Sequence, residues 1–401
     1  MNEGIRKIDI AQLQPGMYLE DVFNDRGVFL LSANTLISSA AQVDRLKAQG
    51  VKNVHINFTK GQDVPSAAPS AVRPQPVAQV SEVAYYQELP RAREIREMAH
   101  DTARTMLSSA RSGRAFEMDT VRVSSEEVVN SILRNPDALV SLCQIKGYDE
   151  YTYVHSVNVC VLMTSLAHGL GYRGDKLKAA SMGGLLHDVG KMRVPESILN
   201  KPGKYADWEF EAMKKHPLHG ADIVKDMDVP ELSRLTILQH HERYNGQGYP
   251  YGLRGDKIDE VGVIAAVADV YDALTSDRVY RAAWTPQKAI ATIFQGCDEE
   301  YSRHIAQQFT KHMGIYPVGS FVKLESGEMG VVTRVEAGKL LCPTVLVLFN
   351  RAGSRLAEAV EYDLSKKQHG PEGASFKIEL SLNPKAYRID VSKFLDKKTI
   401  H

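Results

Sequence analysis

Residues 185–205, LLHDVGKMRVPESILNKPGKY, contain the pattern on which the fold assignment rests. His187 and Asp188 follow two leucines, and Lys191 comes three residues after the aspartate. Residues three and four apart share a helix face, so these three side chains are predicted to face one cavity. A histidine next to an aspartate offers an imidazole nitrogen and a carboxylate oxygen, and a carboxylate can bridge two metal ions. The segment therefore predicts a metal site on a helix.

Further histidines and aspartates occur on both sides of this segment, at His155, His216, His240, His241 and Asp269. Imidazole and carboxylate together suit borderline to hard metals such as Fe, Mn or Zn. The adjacent His240 and His241 cannot share one side of a regular helix, so they would serve as ligands at a helix end, which Gly246 and Gly248 indicate. Taken singly, a buried histidine is more often a hydrogen-bonded core residue than a ligand, and a lone Asp269 is more often a cap.

The surrounding block, residues 120–315, has helical periodicity and no strand pattern, which predicts an all-α core. Its predicted helices include one after a capping box at Ser124–Glu127, one beginning at Pro136, and five at Tyr153–Leu170, Lys176–His187, Trp208–His216, Pro230–His241 and Val261–Leu274.

The flanking segments differ in character. Residues 1–60 predict a small α+β domain, with strands at Val28–Leu31 and Val51–Ile56 and a helix at Ser38–Gln49. Residues 61–84 form a Pro/Ala-rich linker, and 85–119 a connecting amphipathic helix that either packs on the next domain or pairs with another subunit. Residues 317–401 contain β-type runs, near Gly319–Leu324, Gly330–Val335, Thr344–Phe349 and Phe376–Leu382, which predict a barrel-like lobe or paired hairpins.

Charge and cysteine content narrow the class of protein. The 401 residues include 49 Lys+Arg and 49 Asp+Glu, and this balance gives no support for binding a nucleic-acid polymer or a membrane surface. Four dispersed cysteines without a CxxC pair, and an N-terminus without an apolar leader, predict a cytoplasmic protein. The longest apolar run, Val261–Val267, is too short to span a bilayer.

Together the motifs resemble, in order and spacing, those of the HD-GYP domains, a branch of the HD phosphohydrolase superfamily. The matching segments are HSVNV (155–159), residues 185–205, MKKHPLHG (213–220), HHERYNGQGYPYGLRGDKI (240–258) and AAVADVYDALTSDRVYRAAW (265–284). The resemblance covers about residues 145–315. Through LQPGMYL (13–19), the first sixty residues are similar to a domain of unknown function often found ahead of HD-GYP domains.

The implied fold class is a multidomain chain with an all-α HD-type helical core. This core, residues 120–316, is flanked by the small α+β N-terminal domain and the small β-rich C-terminal appendage.

The resemblance implies roles for individual residues. His187 and Asp188 match the defining metal pair, and the other matching ligand positions are His155, His216, His240, His241 and Asp269. Two divalent ions are implied, Fe or Mn first, with Zn and Ni also compatible. Asp188 and Lys191 are implied as catalytic residues, with the lysine close to the substrate phosphate. The alternative interpretation of Lys191 is an ordinary surface lysine.

The resemblance also implies substrate-binding residues. Arg278 and Arg281 match basic positions that hold a cyclic dinucleotide, and their alternative is ordinary surface arginines. Gly248, Tyr249 and Pro250 form the GYP signature, in which Tyr249 would either stack on a base or pack the turn.

The implied activity is hydrolysis of the bacterial second messenger cyclic di-GMP to pGpG by a hydroxide activated by two metals, with further cleavage to GMP left open. Lowering the messenger level would regulate biofilm formation or motility. Two alternatives stay open, a module that binds cyclic di-GMP without cutting it and a hydrolase of another cyclic dinucleotide or of a nucleotide monophosphate. GGDEF-type cyclases and a second copy of the chain are the implied protein partners.

Two positions depart from the family pattern. The family usually has HHExxDGxGYP, whereas Asn245 replaces the acidic residue here. Asparagine turns as well as aspartate, so the loop should form, but an ionised acceptor is lost and the binding-only alternative gains support. Some relatives hold a third metal through a glutamate four residues before the first histidine. That position is Tyr151, and Glu150 is one residue out of register, so two metals are predicted.

Overall fold

The computed structural model describes residues 5–24, 29–48, 51–62, 83–144, 151–277, 281–335, 341–366 and 377–395. The chain divides into two units, residues 1–76 and 77–401. Within the described ranges, no helix combines the length and the apolar character needed to cross a membrane.

The first unit is a four-stranded antiparallel sheet with one helix. Its elements are β1 (Ile5–Asp9), β2 (Tyr18–Asn24), β3 (Phe29–Leu36), α1 (Ala40–Ala48) and β4 (Val51–Asn57), and the strand order is β1-β4-β2-β3. Buried apolar side chains such as Leu19, Val54 and Ile56 form its core. The sequence indicated β3, β4 and α1 but missed β1 and β2; in β2 a bulge between Leu19 and Asp21 breaks the alternation that marks a strand.

The second unit contains the helical core. Its α-helices are α2 (Tyr85–Arg111), α3 (Met118–Arg134), α4 (Pro136–Leu142), α5 (Tyr151–Gly169), α6 (Gly174–Leu186), α7 (Glu196–Leu199), α8 (Asp207–Met213), α9 (His216–Ile223), α10 (Glu231–Gln239), α11 (Glu260–Thr275), α12 (Pro286–Gln295) and α13 (Arg303–Met313). α5 packs against α6 and α11, and α10 packs against both α6 and α11. α5 and α11 are buried along most of their length, as expected for helices within a larger core.

The predicted amphipathic helix is α2, whose apolar face packs on α3, α4 and α5 of its own unit. Ile95, Ala99 and Met106 are buried there. This packing corresponds to the first of the two predicted alternatives.

Two predicted helix starts had different outcomes. The capping box at Ser124–Glu127 is wrong, because α3 begins at Met118 and Ser124 is buried inside it. Asp119 in the first turn favours the earlier start through the helix dipole. The start at Pro136 is confirmed, since the Asn135 side chain accepts a hydrogen bond from the Ala138 amide at 3.2 Å.

A five-stranded antiparallel sheet follows the helices. Its strands are β5 (Phe321–Leu324), β6 (Met329–Arg334), β7 (Thr344–Phe349), β8 (Arg355–Asp363) and β9 (Ile378–Leu382), in the order β8-β7-β6-β5-β9. Among the described strands the sheet is open, so it is neither a barrel nor a set of separate hairpins. β8 was missed because its charged side chains are exposed. A mostly helical core with β-sheets toward both ends is confirmed; the predicted domain boundaries stay predictions.

One buried ion pair joins α2 to α3. Arg134 donates from Nε and Nη2 to the two carboxylate oxygens of Glu88, each at 2.7 Å, and Ser131 Oγ donates to the same carboxylate at 2.8 Å. Glu88 is buried, so these three donors replace the water that would otherwise hydrate its carboxylate.

We expect Arg134→Ala to lower the free energy of unfolding by about 3–5 kcal/mol, because it leaves a buried carboxylate without its cation. The matched control is Arg91→Ala, which breaks the exposed pair with Glu127 between the same two helices; it should cost less than about 1 kcal/mol. Denaturant unfolding followed by circular dichroism measures both. Equal losses of unfolding free energy in the two variants would show that the buried pair stabilises the fold no more than the exposed pair does.

Candidate metal centre

The seven predicted ligands come from five helices whose ends or faces meet in one place. They are His155 on α5, His187 and Asp188 directly after α6, His216 at the start of α9, His240 and His241 directly after α10, and Asp269 on α11. His241 is partly exposed and the other six are buried. The predicted helix end at His240 and His241 is confirmed, because α10 ends at Gln239.

The backbone around His187 and Asp188 differs from the predicted continuous helix. α6 ends at Leu186, and a 3-10 helix at Val189–Arg193 follows. The tighter turn still brings Lys191 Nζ to 2.5 Å from Asp188 Oδ2. Gly190 lets this 3-10 helix pack closely against α9, since a Cβ there would lie 1.9 Å from the His216 carbonyl oxygen.

Three of the histidines share one hydrogen-bonding pattern. Nδ1 of each contacts the carbonyl oxygen three residues earlier: His187 to Gly184 at 2.8 Å, His216 to Met213 at 2.8 Å, and His240 to Ile237 at 2.9 Å. A carbonyl oxygen only accepts, so Nδ1 carries the proton. With Nδ1 as the donor, Nε2 of a neutral imidazole presents a lone pair.

These lone pairs point at each other and at one carboxylate. Nε2 of His216 lies 3.1 Å from Nε2 of His240 and 3.3 Å from Asp188 Oδ1, and Nε2 of His187 lies 3.3 Å from Asp188 Oδ2. Two lone pairs cannot hydrogen-bond to each other. Within the described part of the chain, Nε2 of His187 and Oδ1 of Asp188 are buried without a hydrogen-bond partner. Because buried polar atoms are normally satisfied, this arrangement fits bound cations.

Asp188 belongs to two groups of converging ligand atoms. One group is Asp188, His216, His240 and His241, and the other is His155, His187 and Asp188; within each, the ligand atoms lie within 4.8 Å of one another. Asp269 contacts one histidine of each group, with Oδ1 3.1 Å from His155 Nε2 and Oδ2 3.7 Å from His241 Nδ1. The described side chains thus form two candidate ligand groups that share Asp188.

The histidines differ in their affinity for protons. Burial lowers the pKa of His216, lowers that of His240 to about 4, and lowers that of His241 well below its ordinary value. Burial alone would also lower the pKa of His155, but hydrogen bonds with Asp269 and Asp272 raise it to about 9. In the metal-free protein at neutral pH, His155 is therefore protonated while these three rings are neutral.

Comparison with known proteins gives the family. Residues 134–305 match the HD domain, and residues 5–121 match a domain of unknown function, DUF3391. The chain is 40% identical over 365 residues to a cyclic di-GMP phosphodiesterase of Pseudomonas aeruginosa, in an alignment that covers 86% of each protein. The chain belongs to the HD-GYP family.

Two other similar proteins are more distant. A 3′3′-cGAMP-specific phosphodiesterase of Vibrio cholerae is 34% identical over 181 residues, covering 44% of this chain and 33% of that protein. The solved structure of an HDG"Y"P protein from Bdellovibrio bacteriovorus is 18% identical and superposes with a TM-score of 0.46, covering 76% of this chain and 98% of that one. At that TM-score the superposition adds no support to the assignment.

The GYP turn of this HD-GYP chain is packed tightly against the site. A Cβ on Gly248 would lie 2.3 Å from the Arg243 amide nitrogen, so the close approach requires glycine. The Tyr249 amide donates to the His241 carbonyl at 3.1 Å, and the two rings stack with centroids 4.7 Å apart. Pro250 follows through a cis peptide bond. Tyr249 is thus part of the wall that holds His241.

Asn245 keeps the turn that the family's aspartate would make. Its Oδ1 accepts a hydrogen bond from the Gln247 amide at 2.9 Å. This acceptor is available in asparagine and in aspartate alike.

Two predicted substrate residues have no tested role. Arg281 donates from Nη2 to the Ala273 carbonyl at 2.6 Å, at the C-terminal end of α11, and its guanidinium lies over the Trp284 ring. Arg278 and Glu150 lie outside the described residues, as does the side chain of Tyr151. Substrate binding by either arginine stays a prediction.

Sequence reasoning missed three supporting residues. Asp272 accepts hydrogen bonds from His155 Nδ1 at 2.7 Å and Asn158 Nδ2 at 2.9 Å. Asn158 is three residues after His155, and Asp272 is three after Asp269. Because residues three apart share a helix face, this spacing was a usable signal. Glu242, also buried, accepts from the Tyr251 and Leu253 amides and fixes the loop after the GYP turn.

We expect Asp272→Asn to weaken divalent metal binding by about 10–100-fold, because the carboxylate orients and polarises the His155 ring. Competition between the Mn-loaded protein and a chelator measures the affinity. The control is Asp259→Asn, which removes the same charge from the cap at the other end of α11. It should leave the metal affinity unchanged; a loss in both variants would contradict a specific role for Asp272.

We also expect metal loading at pH 7.5 to release about one proton per chain from His155. Its pKa of about 9 means that the metal-free ring is protonated, while a metal needs the free lone pair. Metal affinity should therefore rise from pH 7 to pH 9 and then level off. Calorimetry in buffers of different ionisation enthalpy measures the proton count. His155→Gln should remove the released proton, and a heat independent of the buffer in the native protein would contradict the assignment.

Proposed function

We propose that this chain hydrolyses cyclic di-GMP to linear pGpG. The observation that carries the proposal is the meeting of two buried ligand groups at Asp188. An identity of 40% to a cyclic di-GMP phosphodiesterase, along 86% of both proteins, supports the substrate. Further cleavage of pGpG to GMP belongs to the same proposal, and a separate analysis of the products tests it.

The proposal includes two divalent ions, Fe or Mn first, with Zn and Ni compatible with the donors. His155 and His187 would hold one ion, and His216, His240 and His241 the other; Asp188 would be shared and Asp269 is within reach of both groups. When bound, such a pair supplies a water of lowered pKa and neutralises charge on the phosphoryl oxygens.

Lys191 is positioned to act on the substrate. Its side chain is 21% exposed while its partner Asp188 is 1% exposed, so the ammonium lies between the buried ligands and solvent. A phosphodiester that enters from solvent would meet this cation. We propose that Lys191 holds the phosphate and donates a proton to the leaving ribose 3′-oxygen.

The relative specific for 3′3′-cGAMP supports a second candidate substrate, a different cyclic dinucleotide. Cyclic di-GMP, 3′3′-cGAMP and cyclic di-AMP offered side by side would rank them by kcat/KM. The highest value for 3′3′-cGAMP would replace the leading substrate while leaving the chemistry in place. GGDEF-type partners, a homodimer, a cytoplasmic location and a role in biofilm or motility control stay predictions.

We expect Asp188→Asn to lower hydrolysis of cyclic di-GMP roughly 100-fold or more, because both metal groups lose their shared carboxylate. The test uses the full chain, loaded with Mn or Fe without oxygen, and measures pGpG by chromatography. The control is Asp222→Asn, which removes an exposed carboxylate paired with Arg193. A native protein that is metal-loaded and binds cyclic di-GMP without cutting it would contradict the proposal and favour the binding-only alternative.

We expect Asn245→Asp to change kcat/KM by no more than about twofold, since the turn keeps its acceptor. The same chromatographic assay measures it. A large gain of activity would show that the family's carboxylate does more than close the turn.

A further inference from the structure

Phe210 on α8 is an exposed aromatic residue beside the candidate metal centre. Its side chain lies edge-on to Tyr249, with ring centroids 6.4 Å apart and planes at 84°. The Tyr249 ring in turn stacks on His241 at 4.7 Å and approaches His216 at 6.3 Å. A short series of rings thus leads from the predicted ligands to the protein surface.

The backbone that carries Phe210 is fixed from both sides. At the start of α8, the Glu209 carboxylate accepts from the Ala206 amide and from Lys201. At its end, Met213 is buried against Val194 and Ile198, and its carbonyl accepts the hydrogen bond that orients His216. Phe210 is one helical turn before that carbonyl, so its distance from the metal centre is set by the same helix.

The Phe210 ring is only partly covered by its contact with Tyr249. Phe210 is 45% exposed, although phenylalanine is normally buried when it serves only packing. Tyr249 has a ring face covered by His241. Phe210 is therefore the aromatic side chain in this series with most surface open to a ligand. Lys214 Nζ lies 5.3 Å from the ring centroid and pairs with Glu211, so the two charges beside the ring offset each other.

We propose that Phe210 is the platform on which one purine base of the substrate stacks while its phosphate is held at the metal centre. This inference rests on the proposed function and names the residue that recognises the base. Purine faces stack on aromatic side chains, and removal of such a platform typically weakens binding about tenfold or more.

The test compares two ligands that differ only in the base, GMP and ribose 5-phosphate. Calorimetry on the metal-loaded full chain should show tighter binding of GMP than of ribose 5-phosphate. Phe210→Leu keeps an apolar side chain but removes the ring; it should lose about tenfold in GMP affinity and leave ribose 5-phosphate unchanged. Phe210→Tyr should retain the preference for GMP.

Trp208→Leu is the matched control, because Trp208 is on the same helix, is 67% exposed, and has no ring contact within the described residues. It should retain the GMP affinity of the native chain. For cyclic di-GMP, Phe210→Leu should raise KM by about the same factor as it weakens GMP and leave kcat nearly unchanged.

Three results would overturn the inference: no preference for GMP in the native chain, an unchanged GMP affinity in Phe210→Leu, or an equal loss for both ligands. A native chain that fails to cut cyclic di-GMP but shows the Phe210-dependent preference for GMP would refute the proposed function and support the base platform. Efficient hydrolysis by the native chain with an unchanged KM in Phe210→Leu would support the proposed function and refute the base platform.

Discussion

The Asp188 carboxylate, buried among imidazole lone pairs, is the constraint on which the rest of the site depends. The Asp188 carboxylate is 1% exposed and has lost nearly all of its hydrating water. Lys191 donates a hydrogen bond to one of its two oxygens. Its other oxygen faces Nε2 of His216, a ring whose proton is held at Nδ1 by a backbone carbonyl. Cations bound between these atoms would convert mutual repulsion into attraction, so the fold and the metals would stabilise each other.

Helix ends explain how so many ligands reach one point. His187 and His240 each follow the last residue of a helix, and His216 begins the next helix after Met213. At each of these ends a free backbone carbonyl is available to an imidazole Nδ1, because the last carbonyls of a helix have no partner within it. The same feature that ends the helix therefore fixes the ring and aims Nε2 into the site. His155 differs, since Asp272 on the neighbouring helix orients it.

A large part of the candidate site could be predicted from the sequence. The parts that could not be predicted have identifiable physical causes. Seven ligand positions could be proposed because a motif keeps its spacing, and the adjacency of His240 and His241 required a helix end. Asp272 and Glu242 were missed because a supporting carboxylate resembles a surface residue until its partners are seen. In the fold, β2 and β8 were missed because a bulge in one and exposed charges in the other hide the strand period. The start of α3 was misplaced because Ser124 and Glu127 make a convincing cap pattern inside a longer helix.

The most direct test of the shared carboxylate is a crystal structure of the Mn-loaded protein with the ions located by anomalous scattering. The account predicts two peaks about 3.5–4 Å apart, the spacing of paired catalytic metals, with one oxygen of Asp188 bound to each ion. A single peak, or two peaks that leave the Asp188 carboxylate without a metal, would contradict it.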